Sequence, residues 1–278
     1  MCATLRAVAK VGGREIASGM QVISYPHFPA QTLFPPSDVK LVRVNVQVTA
    51  RKIGYIVGAG DEMPDVLRQL GPEVTPLGQS DLDQGDLSRF DVIVAGVRAY
   101  NVRADLRANQ ARLLEYVRNG GTYVVQYQVG DGPDPNPRNQ QPQPPQPPGG
   151  NSNAVTQNLG PYPFIVPSGS RYRVTVEEAP VTFPHPDSLL LQMPNHIAQK
   201  DFEGWVQERG LYFAAQWDKH YETVLSSHDP GEQPADGGEL WTHYGKGVYI
   251  FTSYAWFRQL PSGVPGAYRL FANLLSAK

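Results

Sequence analysis

The sequence predicts an α/β fold built on a parallel, doubly wound sheet, and three observations carry that expectation. From Lys52 onward, short apolar runs alternate with stretches of helical periodicity. The run "FDVIVAGVRAY" is continuously apolar, as a strand must be when both faces of a parallel sheet are covered. Glycines punctuate the junctions ("GAGDE", "QLGPE", "RNGGTY"), where a chain must turn tightly between strand and helix. Repeated βαβ units of this kind pack into a parallel sheet by right-handed crossovers.

Each element follows in order. Residues 1 to about 50 have a different texture and read as a β-rich arm, the remnant of a β-sandwich linker. "YPHFPAQTLFPPSD" is proline-punctuated and extended, and "KLVRVNVQVTA" sets Val42, Val44, Val46 and Val48 against Arg43, Asn45 and Gln47 at period two. Residues 51–278 form the α/β domain. "KIGYIVGAG" is its first strand, and "MPDVLRQLG" a helix with Pro64 early and Gly71 at its end. "VTPL" and "FDVIVAGVRAY" are strands. "RADLRANQARLLEYVRNGG" places Leu106, Leu113, Leu114 and Val117 on one helical face, and "TYVVQYQ" is the next strand. At about 130–160 a Pro/Gln-rich stretch interrupts the domain and reads as a mobile surface insertion. Beyond it "RYRVTVEEAPVTF" and "YETVLSSHD" read as strands, "GELWTHYGKGVYIFTSYAWF" as two strands around a "YGKG" turn, and "GVPGAYRLFANLLSAK" as a closing helix.

Composition excludes several functions. A formal net charge of −2 gives no electrostatic basis for binding nucleic acid or an anionic membrane. No apolar run is long enough to span a bilayer, and the start "MCATLRAVAKVGG" is too short in apolar residues for a signal peptide. The chain reads as soluble, cytoplasmic or exported as part of a longer protein. Its one cysteine, Cys2, excludes an internal disulfide and a cysteine zinc cluster.

In an open parallel sheet, ligands sit beyond the carboxyl ends of the strands. Asp61 and Glu62 of "GAGDE" lie on that edge, and so do Arg98, Tyr100 and Asn101 of "VRAYN". Each has a structural alternative: Asp61 capping the following helix, or Arg98 tying loops together through Asp61 or Glu62. "TYVVQYQ" ends on the same edge with Tyr127 and Gln128 where a nucleophile elbow would hold Ser or Cys, and no G-x-S-x-G motif is present. Arg258 in "WFRQLPSG" either packs the closing helix or faces this crevice. For a metal, His185 and Asp187 of "FPHPDS" and His228 and Asp229 of "SSHDP" are the candidates, with zinc or calcium as the ions. No histidine pair has helical ligand spacing, and zinc hydrolysis needs about three protein ligands.

"GYIVGAGDEMPDVLRQLG", "DLSRFDVIVAGVRAYNVRADLRANQARLLEYVRNGGTYVVQY", "DFEGWVQERGLYF" and "FRQLPSGVPGAYRLFANLL" together resemble the C-terminal region of large bacterial PIG-L-type deacetylases. That region is similar to class I glutamine amidotransferase-like domains, including the ThuA-like group. The resemblance runs from about Gln21 to the end and implies a flavodoxin-like sheet with helices on both faces. The zinc-bearing deacetylase domain would lie upstream, and His185 and Asp187 do not correspond to it. True amidotransferases carry a cysteine after the strand matched by "TYVVQYQ", so cysteine-dependent glutamine hydrolysis is excluded by inventory.

Two functions follow as expectations. The first is an amidotransferase-like module that binds a small polar ligand, such as a sugar, or mediates assembly. The second is a hydrolase of an amide, ester or lactone bond, with metal-bound or carboxylate-activated water at Asp61 or Glu62 and with Arg98 and Tyr127 stabilising an oxyanion. In either case Tyr100, Asn101, Gln128 and Arg258 are expected to contact the ligand, and the aromatic segment Trp256–Phe257 offers a surface for homo-oligomerisation.

Overall fold

The computed structural model describes residues 2–135, 159–169 and 171–278. Most of the Pro/Gln-rich insertion, residues 136–158, lies outside the described residues. The chain divides into two compact units, Met1–Asn45 and Val46–Lys278.

The first unit holds β1 (Cys2–Arg6), β2 (Ala9–Val11), β3 (Arg14–Ile16), β4 (Gln21–Tyr25), β5 (Phe28–Leu33) and β6 (Asp38–Val42). They pair antiparallel as β1 with β6, β2 with β3 and β4 with β5. Among its described side chains none is buried, and Leu5, Val11, Val22 and Phe34 are exposed. The alternation expected for "KLVRVNVQV" is present in burial, since Val42, Val44, Val46 and Val48 are half-buried between exposed neighbours. The ladder itself stops at Val42.

The second unit opens with β7 (Lys52–Ile56), α1 (Met63–Gln69), β8 (Glu73–Pro76), α2 (Gln79–Gln84) and β9 (Val92–Ala95). Then come α3 (Ala99–Val102), α4 (Ala104–Ala108), α5 (Gln110–Arg118) and β10 (Thr122–Gln126). A run of short elements follows: β11 (Phe164–Ile165), β12 (Arg173–Val174), β13 (Val181–Thr182), α6 (Leu189–Gln192), β14 (Gly210–Leu211), β15 (Gln216–Trp217), β16 (Glu222–Thr223) and β17 (Ser226–Ser227). The unit closes with β18 (Glu239–Tyr244), β19 (Gly247–Thr252), α7 (Trp256–Gln259) and α8 (Pro265–Ser276).

Seven of these strands form one sheet in the order β16-β18-β19-β10-β9-β7-β8. The five from β19 to β8 are parallel, and β18 and β16 add an antiparallel edge. This is a mixed α/β architecture with a mostly parallel central sheet. Alternate residues feed two cores, as period two requires. Ile53, Tyr55, Val92, Val94, Val124 and Ile250 pack with Leu67 of α1 and with Leu270 and Phe271 of α8. Ile56, Ile93, Tyr123, Val125 and Phe251 pack with Leu106 of α4 and with Leu113 and Val117 of α5. Each buried Leu, Val or Phe contributes about 1.5–3 kcal/mol. The surface ion pairs contribute about 0–1 kcal/mol each, so the two apolar faces hold the sheet.

Two expectations are corrected. The single helix expected in "RADLRANQARLLEYVRNGG" is two, broken at Asn109, whose amide donates to Asp83 Oδ1 (2.6 Å) and to the Asp105 carbonyl (3.0 Å). A short amide competing for backbone partners interrupts a helix in this way. The strands expected in "RYRVTVEEAPVTF" and "YETVLSSHD" shrink to two-residue pieces: β12 pairs with β14, β13 with β17, and β16 with β18 at the edge of the main sheet.

Candidate functional site

The connection from β7 runs outward to β8, and the next crosses back to β9 on the other side of β7. The carboxyl ends of β7 and β9 therefore flank the point where the winding reverses, the place a doubly wound sheet leaves open to a ligand. The two loops there are locked together. Gly96 N donates to the Ile56 carbonyl at 2.9 Å and Ala59 N to the Val97 carbonyl at 2.9 Å. A Cβ on Gly58 would stand 2.0 Å from the Val97 oxygen, and one on Gly96 would stand 2.7 Å from the Tyr55 hydroxyl. Only glycine lets these backbones approach so closely.

Asp61 closes this junction and does not stand open in it. The Tyr55 hydroxyl donates to its carboxylate (2.9 Å to Oδ1, 3.0 Å to Oδ2), as do Met63 N (3.0 Å) and Val97 N (3.3 Å). Burial first, and then the charge of Asp61, pushes the Tyr55 phenol up, so it stays a donor. Glu62 is exposed, with no side-chain partner among the described residues. The Arg98–Asp61 and Arg98–Glu62 pairs named as alternatives do not form.

Arg98 has φ of 57°, in the left-handed region that a non-glycine residue enters at a cost of about 1–2 kcal/mol. Its side chain is exposed and belongs to no ion pair among the described residues, while its N–H donates to the Tyr127 carbonyl at 2.8 Å. Arg98 and Tyr127 thus stand side by side at the ends of β9 and β10. Tyr127 itself has an ordinary backbone, because the described non-glycine residues with left-handed φ are Arg98, Gln207 (68°) and Tyr212 (58°). Its half-buried ring meets Tyr212 edge-on at 5.4 Å and Phe257 at 5.5 Å. Burial, with the nearby charges of Tyr212 and Glu208, pushes its phenol up to about 12, against the opposing pull of Arg258 and Arg98. Arg258 lies 5.0 Å from the Phe257 ring centroid, pairs with Glu208 at 2.9 Å and donates to the Gln207 amide oxygen. Two of the three strained residues, Arg98 and Tyr212, touch Tyr127, and the third, Gln207, accepts from Arg258.

The other ligand candidates point elsewhere. Tyr100 is buried in the α4–α5 core, its hydroxyl bonded to Gln110 and to Tyr123 (2.7 Å). The Asn101 amide pairs both ways with Val129 (2.9 and 3.0 Å). Gln128, fully buried, accepts from Tyr100 N (2.9 Å) and donates to the Gly96 (3.2 Å) and Gln126 (2.6 Å) carbonyls. These three residues staple the β9 and β10 loops and hold Arg98 and Tyr127 in place.

The metal candidates are not brought together. His185 and Asp187 are exposed on one loop, and the His228 ring hydrogen-bonds to the Asp229 carbonyl (3.0 Å). The Asp229 carboxylate accepts from Thr175 N (2.9 Å), Thr175 Oγ1 (2.7 Å) and Val176 N (2.9 Å), with Arg173 at 3.8 Å. These donors hold it below the usual carboxylate range against the effect of burial, and they occupy the lone pairs a cation would need. Among the described residues no group of three His, Cys, Asp or Glu side chains is placed to hold a metal. Nor is any described helix long and apolar enough to cross a membrane. The exposed aromatic segment expected at Trp256 is corrected, for Trp256 is fully buried and donates to Thr252 Oγ1 at 2.7 Å.

Sequence reasoning missed a polar row on the same edge. Gln126 stands opposite Thr252 across β10–β19, and Glu239 opposite Thr252 across β18–β19. Thr252 donates to Glu239 Oε2 at 3.0 Å, and Gln126 donates to the Tyr55 hydroxyl at 3.3 Å. Gln126 Oε1, Glu239 Oε1 and the Tyr254 hydroxyl are buried with no partner among the described residues. Gln207, Glu208 and Tyr212 were missed as well, because nothing local in "VQERGLYF" signals left-handed backbone or proximity to residue 127.

No protein family model matches the chain, and no curated protein matches it. Among solved structures, a cytoplasmic protein from Salmonella typhimurium is 14% identical over 100% of this chain and 97% of its own, with a TM-score of 0.49. PurLQS from Thermotoga maritima is 12% identical over 82% of this chain and 98% of its own, with a TM-score of 0.45. A β-galactosidase from Rahnella is 12% identical over 82% of this chain and 31% of its own, with a TM-score of 0.41. Likenesses at this level transfer no activity to the chain.

Proposed function

We propose that this chain is a flavodoxin-like, amidotransferase-type domain without a nucleophile, and that it binds a small polar ligand at the carboxyl edge of its sheet. The five parallel strands, numbered along the chain, lie in the order 2-1-3-4-5, an order that supports the flavodoxin-like reading. The single observation that carries the non-catalytic reading is the turn after β10. A nucleophile elbow there needs a strained residue bearing Ser or Cys, whereas the chain has Tyr127 with ordinary φ and a phenol pushed up to about 12. Of the two carboxylates the hydrolase reading can use, Asp61 has its lone pairs taken by Tyr55, Met63 and Val97, which leaves Glu62, exposed on the loop, for the mutation test below. The adjacent charged side chains free to meet a ligand are the exposed Arg98 and Glu62.

The test pairs an ester, lactone and amide hydrolysis screen, with and without chelator and added divalent ions, with a thermal-shift screen of small polar compounds. The expected result is no turnover, together with a ligand-induced rise in Tm that disappears in Arg98→Asn. Turnover abolished by Asp61→Asn or Glu62→Gln would overturn the binding reading in favour of the hydrolase.

A further inference from the structure

Of the fourteen large apolar side chains exposed among the described residues, eleven belong to the unit Met1–Asn45 and three to the far longer second unit. Apolar surface gathered in this way marks a place where something else packs. The strands of this unit also stand only in pairs, β1 with β6, β2 with β3 and β4 with β5, and none joins a sheet of three. A two-stranded ribbon is marginal in water and needs further strands or a packed face to be stable. We infer that the cover is a second copy of this chain, the β1–β6 ribbons of two copies packing face to face about a two-fold axis.

Register defines the face. Opposed residues of an antiparallel ladder share a side, and successive residues alternate. Ala3 stands opposite Leu41, and Leu5 opposite Val39, so these four make one side of the ribbon. All are exposed, Leu5 by 57%, Val39 by 56% and Leu41 by 47%. The other side carries Thr4 opposite Lys40, and Arg6 paired with Asp38 at 2.6 Å. The β2–β3 ribbon repeats the division, with the Lys10–Glu15 pair (3.1 Å) on one side and Ala9, Val11, Arg14 and Ile16 on the other.

Two properties select a second copy as the occupant. A two-fold contact sets a patch against itself, so any charge in it faces its own kind. The apolar side of β1–β6 holds no charged residue. The area also suffices. A standard stable interface buries about 800 Å² on each partner, of which roughly 450 Å² is apolar. Eleven half-exposed apolar side chains supply on the order of 300–650 Å². The β1–β6 side is the centre of such a contact, and most of the unit's other exposed apolar residues are needed around it.

Sedimentation velocity of the full chain from about 1 to 100 µM tests this, a range that reaches the weak end of standard-size interfaces. The expected species is a dimer. Leu5→Lys/Leu41→Lys and Leu5→Glu/Leu41→Glu should each be monomers, and an equal mixture of the two should restore the dimer, because the face meets itself. Val102→Lys, at an exposed apolar residue outside this unit, should stay dimeric. Amide hydrogen exchange of the unaltered chain gives a reading that needs no variant: β1 and β6 should lose protection on dilution while β7, β9 and β10 keep theirs. A monomer at the highest concentration would overturn the proposal, and protected β1 and β6 in that monomer would give the face to another part of the same chain. A dimer indifferent to both double variants would overturn the face, and monomeric variants that fail to recombine would overturn the two-fold arrangement.

Discussion

The ends of β9 and β10 lie side by side, joined by the 2.8 Å hydrogen bond from Arg98 N to the Tyr127 carbonyl, yet they are built on opposite plans. After β9 the chain turns sharply through a left-handed Arg98 whose side chain is exposed. After β10 it leaves without strain, and Tyr127 settles half-buried among aromatic rings. Strain of about 1–3 kcal/mol persists only where the surroundings enforce it. Here it presents a cation and no nucleophile. The difference sets a strained turn with an exposed cation beside an unstrained turn with a half-buried phenol.

The largest expected effect breaks the β9 turn outright. In Gly58→Ala the new Cβ would meet the Val97 oxygen, backbone that cannot swing away. Overpacking of this kind costs about 1–3 kcal/mol and sometimes more, and the upper end is expected here from urea unfolding. Gln128→Ala should follow closely. It leaves Tyr100 N unpaired in the interior, at about 1–3 kcal/mol, and it loosens both turns together. A loss confined to one turn in amide hydrogen exchange would show that the two ends are independent.

The sheet's chemistry was partly legible in the sequence. Apolar runs located β7, β9 and β10, and the glycine-flanked "YGKG" located the β18–β19 hairpin, because these signals are local. Strand order is not local, so the polar row of Gln126, Thr252 and Glu239 was hidden: three residues from three strands meet only through register. Asp61 was found by its place on the edge, but Tyr55, buried in the strand and filling the space above Gly96, decided its role. Tyr100, Asn101 and Gln128 were read as ligand contacts because polar residues at strand ends suggest binding. Here they spend their hydrogen bonds on each other's loops.

A third effect concerns pH and which side of the edge titrates. Glu239, fully buried, is pushed up to about 8 by burial, against the hydrogen bond from Thr252. The folded chain thus keeps a proton that an unfolded glutamate releases near 4.5. Stability is full below that pH and falls by about 1.4 kcal/mol per unit as pH rises toward about 8. In Glu239→Gln this slope should flatten across pH 5 to 8 in denaturation midpoints taken at about one-unit steps. A slope that survives in Glu239→Gln would take the titrating group away from the β18–β19 side.

The smallest effect is the most telling. Replacing Arg98 by glycine removes an exposed side chain and relieves a left-handed backbone, whereas Tyr127→Gly gains no backbone relief and loses two aromatic contacts. The decisive measurement is the urea unfolding free energy of Arg98→Gly against the parent chain. Arg98→Gly is expected to be more stable by up to about 1 kcal/mol, the left-handed cost of about 1–2 kcal/mol relieved less the roughly 0.5–1 kcal/mol of chain entropy glycine adds, and the mark of a residue kept for binding at the expense of stability. A clear loss of stability would contradict it, making Arg98 part of the framework and leaving the crevice without its ligand-facing cation.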